Sequence, residues 1–383
     1  MLKRLLGKLS LPSKICAGTR AAEEIGNPWE PMDLRRRRMI FTSVKLNDRT
    51  VSALVDSGTS RSIINASLAR ELGLVPLGET STTSFTRRVS GLSYRAQTIE
   101  AAGTIVHDLP IDSYGAADLD ALSGQRIPLI VGRDVLRIID VEVDFIGDRV
   151  RWLKKQPDTD FRADFTLPLQ GERAAFPSID LILEGRQRVR ALLDLGSDTP
   201  ITVAADYARE HGLLYERIQS SAVSIGLEGV LTNIAFSLRT VQIGEIELHD
   251  VPVHAVENWK LAEPISLGWP LFHSFHMVLS LGRKSLQATV DRHILASEIQ
   301  RDRLGISGSR EEKKLVISHV AQGSPAWQAG LRVNDAVVSV DGRSISRNYP
   351  IPGERLGFRR PGSSIVLELS SGRMIHLTLE NYF

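Results

Sequence analysis

The sequence predicts a mostly β chain: two tandem copies of one β domain, set about a pseudo-twofold axis, followed by a smaller α+β domain. Three observations carry this expectation. Four sequence blocks recur in the same order, each copy alternates apolar and polar residues over short β-branched runs, and the chain from about residue 300 onward matches neither copy.

At 383 residues the chain is long enough for two to three domains of about 150 residues each. With 42% hydrophobic and 24% charged residues it reads as ordinary globular protein. A single cysteine, Cys16, excludes an internal disulfide and any cysteine-built metal site. The net charge of +2 is unevenly placed, because residues 1–38 hold nine Lys/Arg against four Asp/Glu. The rest of the chain is mildly acidic, which argues against nucleic-acid binding.

Residues 1–38 read as a basic leader outside the fold. Lys8 and Lys14 interrupt its apolar run and no small-x-small site follows, so no convincing signal peptide is expected. Cys16 lacks the small apolar context of a lipoprotein site, and no apolar run of about 18 residues predicts a transmembrane helix. A soluble protein is expected, with periplasm and cytoplasm both open. Arg35 to Arg38 read as a solvated, charged lead-in to the first strand.

The duplication fixes the next boundaries. The run from Val44 through Ala53-Leu54-Val55-Asp56-Ser57-Gly58-Thr59 returns as Ile182 through Ala191-Leu192-Leu193-Asp194-Leu195-Gly196-Ser197, at an offset of 138. Leu68-Ala69-Arg70-Glu71-Leu72-Gly73-Leu74 matches Tyr207-Ala208-Arg209-Glu210-His211-Gly212-Leu213 at 139. Val106-His107-Asp108-Leu109-Pro110-Ile111 matches Leu248-His249-Asp250-Val251-Pro252-Val253 at 142, and Leu129-Ile130-Val131-Gly132 matches Ile265-Ser266-Leu267-Gly268 at 136. The two copies span residues 39–155 and 165–290. Within each, alternation as in Thr50 to Val55 and Arg188 to Leu193 predicts strands. One short helix per copy is expected at Ala66 to Leu72 and Ala204 to His211, each stopped by a glycine. His107-Asp108 and His249-Asp250 read as repeated turn or capping residues rather than metal ligands, and no metal or other cofactor is expected.

In both copies an apolar strand runs directly into Asp-x-Gly-Ser/Thr, placing a carboxylate at a strand end. Gly58 and Gly196 let the backbone turn and aim amides at Asp56 and Asp194. Thr59 and Ser197 offer hydroxyls to the outer carboxylate oxygens. Paired about a twofold axis, Asp56 and Asp194 would meet and share one proton, so that one acts as general base and the other as general acid. Aspartic proteases are the standard example of this behaviour.

These residues resemble the retropepsin-type aspartic proteases in a bacterial form with two lobes fused in one chain. The resemblance rests on Val55 to Thr59 and Leu193 to Ser197, supported by Ile130-Val131-Gly132 and Ser266-Leu267-Gly268. It implies an aspartic endopeptidase acting on protein or peptide substrates, catalytic residues Asp56 and Asp194, catalytic-loop support from Ser57, Gly58, Thr59, Gly196 and Ser197, and a monomer whose lobes pair within one chain. It also implies flaps over the cleft within Gly78–Tyr94 and near Ile225–Asn233. Leu195 departs from the pattern: the family has a hydroxyl there that braces the dyad across the lobes. Ser57's partner group must then be satisfied differently, and Ser266 weakens the second supporting element. The alternative reading is therefore an inactive pseudoprotease acting as a peptide-binding adaptor. Neither Gly-x-Ser-x-Gly nor H-E-x-x-H occurs, against a serine or zinc peptidase.

Residues 300–383 resemble a bacterial PDZ domain through Arg303-Leu304-Gly305-Ile306, Leu315 to Val320, Gly323 to Leu331 and Asn334 to Gly342. Ser324 caps and Pro325 starts a helix that Gly330 ends, and Asp341-Gly342 is a hairpin turn. The resemblance implies that Leu304, Gly305 and Ile306 form a loop receiving peptide C-termini, with the peptide added as a strand. Pro350, Pro352 and Gly353 predict a short groove helix, and the alternative is a PDZ-like fold packed against the lobes with its groove blocked.

Overall fold

A computed structural model describes residues 28–114, 126–154, 161–171, 176–346, 348–350 and 355–383. The leader before residue 28, and Pro352 and Gly353, lie outside them. The described residues are mostly β, arranged in barrel-like sheets with a C-terminal PDZ-like domain. No helix among them is long and apolar enough to cross a membrane.

The two copies fold with the same strand order. In the first seven-stranded sheet the order is Phe41–Leu46, Arg49–Val55, Leu129–Val131, Ile63–Ile64, Thr104–Ser113, Arg88–Ala101, Val75–Thr83. The second runs Ser178–Leu183, Gln187–Asp194, Ile265–Gly268, Ile201–Ala204, Ile246–Val256, Gly229–Ile243, Ser220–Gly226. In both, the strand carrying the Asp-x-Gly turn is buried between a hairpin partner and a parallel neighbour, which explains its unbroken apolar run. The short helices are Ala66–Glu71 and Ala205–Glu210; Asn65 caps the first by accepting a hydrogen bond from the Ser67 amide. Asp108 and Asp250, expected at turns, lie instead inside the strands Thr104–Ser113 and Ile246–Val256, where left-handed backbone with φ of 50° and 49° interrupts the pairing at equivalent points.

A six-stranded sheet joins the lobes, in the order Glu30–Pro31, Arg149–Leu153, Asp140–Asp144, Phe275–Ser280, Ser285–Val290, Phe165–Pro168. Its central pairing, Val143 against Met277, crosses from one copy to the other. One apolar cluster runs through both copies and includes Val55, Trp152, Leu193, Phe272 and Phe275.

This sheet corrects the expected leader. Glu30–Pro31 is a strand, and its Glu30 carboxylate accepts hydrogen bonds from the Thr42 and Ser43 hydroxyls. Met32 and Leu34 are buried in the common core. Arg38 is not solvated: it is 3% exposed, and its guanidinium lies 3.8 Å above the Phe358 ring. The alternation used to find the first strand starts only at Phe41, so the shorter irregular pairing before it carried no periodic signal.

The C-terminal sheet follows the order Ile306–Arg310, Leu315–Val320, Ala336–Val340, Ser364–Leu369, Met374–Thr378, around its own core of Ile317, Leu331, Val340 and Ile365. Ser324 accepts the Trp327 amide, and Asp341-Gly342 form a turn with positive φ at both residues. A separate small cluster, Ala235, Ala321, Tyr382 and Phe383, packs this domain against the second lobe.

Candidate active site

The two Asp-x-Gly turns lie face to face. A Cβ added to Gly58 would sit 2.5 Å from Asp194 Oδ1, and one added to Gly196 would sit 2.5 Å from the Asp56 carboxyl carbon. No side chain fits at either position while the carboxyls stay in contact. Gly132 and Gly268 meet a similar constraint from behind, where a Cβ on Gly268 would fall 2.1 Å from the Thr199 carbonyl oxygen.

Asp56 is buried and Asp194 half-buried, and their carboxyls face each other within hydrogen-bonding reach. The Gly58 amide donates to Asp56 Oδ1 at 2.6 Å; the Gly196 amide donates to Asp194 Oδ1 at 3.1 Å. Burial raises Asp56 above the usual carboxylate range, opposed by the amides of Gly58 and Thr59. Asp194 is raised further, by burial first and then by the Asp56 charge. Arg133 lies 2% exposed behind the loop, its guanidinium 4.0 Å from the Phe176 ring, and burial pushes it down to about 10. Its charge favours ionisation of both carboxyls.

Ser57 spans the two turns. Its hydroxyl donates to the Leu193 carbonyl at 2.7 Å and accepts the Leu195 amide at 3.0 Å. Leu195 packs fully buried in the common core. The hydroxyl of Ser57 is thus satisfied in both directions by the second lobe's backbone, and half of the expected brace is present.

Thr59 and Ser197 do otherwise than expected. Thr59 Oγ1 is 3.4 Å from the Asp56 main-chain oxygen, and Ser197 Oγ accepts the Thr199 amide at 3.3 Å. Their hydroxyls hold the turns and do not serve the carboxylates. Ser266, expected to weaken its element, points its hydroxyl at Asp194 Oδ2 at 3.5 Å and favours the ionised form.

Two features escaped the sequence. Asp198, at the end of the second turn, pairs with Arg38 at 3.3 Å and with Arg355 of the C-terminal domain at 2.9 Å. These cations hold it below the usual range despite its burial. The tip of the first hairpin also meets the second lobe over the dyad: the Lys260 amide, on the loop after Ile246–Val256, donates to the Phe85 carbonyl at 2.8 Å, Phe85 stacks on Trp259 with centroids 4.9 Å apart, and Arg87 donates to the carbonyl of Glu228 at the second hairpin's tip. About 150 Å³ of space adjoins the carboxyls, below the ~300–1,000 Å³ of a ligand site.

Leu304, Gly305 and Ile306 lie apart, in the C-terminal domain. The Leu304 and Gly305 amides donate to the Asp302 carboxylate at 3.2 and 2.9 Å, and the Tyr382 hydroxyl donates to it at 3.0 Å. An internal carboxylate therefore stands where a peptide C-terminus was expected. The strand Ile306–Arg310 beside it is the edge of its sheet. Among the described residues no group of three or more His, Cys, Asp or Glu is placed to hold a metal.

Comparison with known proteins bears on this geometry. Residues 42–135 match the aspartyl protease family. That match contains Asp56 and its turn, while residues 316–350 match the PDZ domain. A stretch of 116 residues is 28% identical to the UBA domain-containing protein Mud1 of Schizosaccharomyces pombe, covering 30% of this chain and 32% of that protein. The chain thus spans about a third of the length of this curated relative. The aspartyl protease region and the PDZ region together support a protease carrying a PDZ domain.

Proposed function

We propose that the chain is an aspartic endopeptidase in which two retropepsin-like lobes each contribute one carboxyl, Asp56 and Asp194. The observation that supports it best is the face-to-face approach of these two carboxyls on equivalent turns. Two such groups hold one proton between them, and the stronger upward push on Asp194 favours placing it there. Asp56 then accepts a proton from water as the water oxygen bonds to the scissile carbonyl carbon. Asp194 donates its proton to the carbonyl oxygen, giving a neutral gem-diol. On collapse Asp56 returns a proton to the amide nitrogen, the C–N bond breaks, and Asp194 recovers its proton as the new carboxylic acid forms. The C–N bond is consumed, one water is added, and the dyad is regenerated.

The PDZ region supports peptide binding, through strand addition at Ile306–Arg310 rather than capture of a free C-terminus, since Asp302 fills the loop amides. A second reading, a peptide-binding adaptor, draws on Leu195 and the closed tips. Incubating the protein with denatured protein substrates from pH 3 to 8, beside Asp56→Asn and Asp194→Asn, separates them. Cleavage lost in both variants is expected; no cleavage by the unaltered protein at any pH leaves the adaptor.

A further inference from the structure

We infer that Glu228 is the specificity-determining residue of this cleft and that the favoured substrate presents a lysine or arginine side chain beside the scissile bond. The inference rests on the proposed peptidase reading and deepens it.

Glu228 sits at the tip of the hairpin Ser220–Gly226 with Gly229–Ile243, and it lines the same cavity as Asp56 and Asp194. It is 8% exposed. Its carboxylate folds back over Gly226, where an added Cβ would lie 2.7 Å from Oε2, so the glycine supplies the room the carboxylate occupies. Among the described residues, no hydrogen bond or ion pair reaches that carboxylate. The neighbouring Arg87 guanidinium is engaged by Glu228's main-chain carbonyl.

A carboxylate held at 8% exposure without a cation in contact has lost most of its hydration, which a bound cation would offset. The rest of the cavity lining cannot: it is apolar at Phe85, Phe176, Leu192, Leu227 and Leu261, with hydroxyls from Thr59, Ser60, Thr82, Thr83, Ser84 and Ser266. The singly charged dyad adds a second negative charge to the same space; the Arg133 guanidinium stacks on Phe176, and that of Arg87 is taken by the Glu228 carbonyl. A substrate cation is thus the missing partner. A long aliphatic stem suits the apolar wall while its head reaches Glu228. The tip of the opposite hairpin places Ser84 and Phe85 in the cavity and carries a cation, Arg87, but no carboxylate, so the preference belongs to one side of the scissile bond.

The test uses the full chain and two readouts. A proteome-derived peptide library, produced by cleavage after acidic residues so that Lys and Arg stay internal, is digested and the cut sites read by mass spectrometry. Lys plus Arg is expected to be enriched about tenfold at one subsite next to the cut. This ratio should collapse toward unity in Glu228→Gln and turn toward Asp and Glu in Glu228→Lys. Binding is read separately in Asp56→Asn, with fluorescein-labelled hexapeptides differing only in Lys, norleucine or Glu at the central position. The Lys peptide is expected to bind about tenfold tighter than the norleucine peptide, a preference absent in Asp56→Asn combined with Glu228→Gln. No basic enrichment, or an enrichment that survives Glu228→Gln, overturns the inference. If nothing is cut, the peptidase reading fails, and equal binding of Lys and norleucine peptides then overturns the inference on its own.

Discussion

Replacing Ser57 by alanine tests the joint between the lobes. The substitution removes one hydroxyl, fully buried, that donates to Leu193 and accepts from Leu195. Each bond contributes about 1 kcal/mol net, and the carbonyl and amide left without it in an apolar surrounding add about 1 kcal/mol each, for a total of about 4 kcal/mol. The Cβ remains, so cavity formation adds little. Equilibrium urea unfolding followed by tryptophan fluorescence reads the loss, since Trp152 and Trp269 lie in the core shared by both copies. With a slope of about 3 kcal/mol per molar, the midpoint should fall by about 1.3 M. Ser57→Thr retains the hydroxyl and should lose distinctly less. A Ser57→Ala midpoint within roughly 0.2 M of the parent protein would refute the bridging argument.

Three further outcomes follow from the same geometry. Asp198→Asn strands Arg38, a charge 3% exposed, and should cost about 3–5 kcal/mol, whereas Arg355→Ala, half-exposed, should cost under about 1 kcal/mol; thermal unfolding compares them. Burial depresses His254 to about 4 from 6.5, and its Nδ1 has no partner. The unfolded chain therefore takes up this proton first, so stability is lost as pH falls from 6.5 to about 4; in His254→Gln that part of the pH dependence of unfolding should disappear. Arg133 favours the ionised dyad, so Arg133→Met should raise the dyad's proton affinity and move the acid limb of the pH–rate profile to higher pH; an unmoved limb would show that the cation is electrostatically remote.

What was legible in the sequence was whatever repeats or alternates. The offset that pairs Asp56 with Asp194 placed both carboxyls on equivalent turns, and the parallel neighbours Leu129–Val131 and Ile265–Gly268 followed from the same duplication. Contacts between distant, unrepeated residues left no such trace. Asp198 meets Arg38 and Arg355 from opposite ends of the chain, and nothing near any of the three signals it. Asp302 precedes the loop it fills by two residues, yet an Asp before a turn is too common a pattern to read as an occupied anion site. Ser266 misled because an apolar position in one copy was expected to be apolar in the other, while the hydroxyl there touches the dyad.

Joining both halves in one chain changes what each may become. In an association of identical half-sites, every substitution at the shared seam is made twice and opposite itself, so only self-complementary changes survive. Here Ser57 and Leu195 occupy equivalent places and differ, one reaching across and the other received. Tethering also sets the meeting of the two carboxyls by an effective concentration rather than by how much protein is present, so dilution leaves the pair intact. Released from both constraints, the second half is free to carry a core side chain where the first carries its brace, and its outer acid, Asp198, to take a partner from the C-terminal domain.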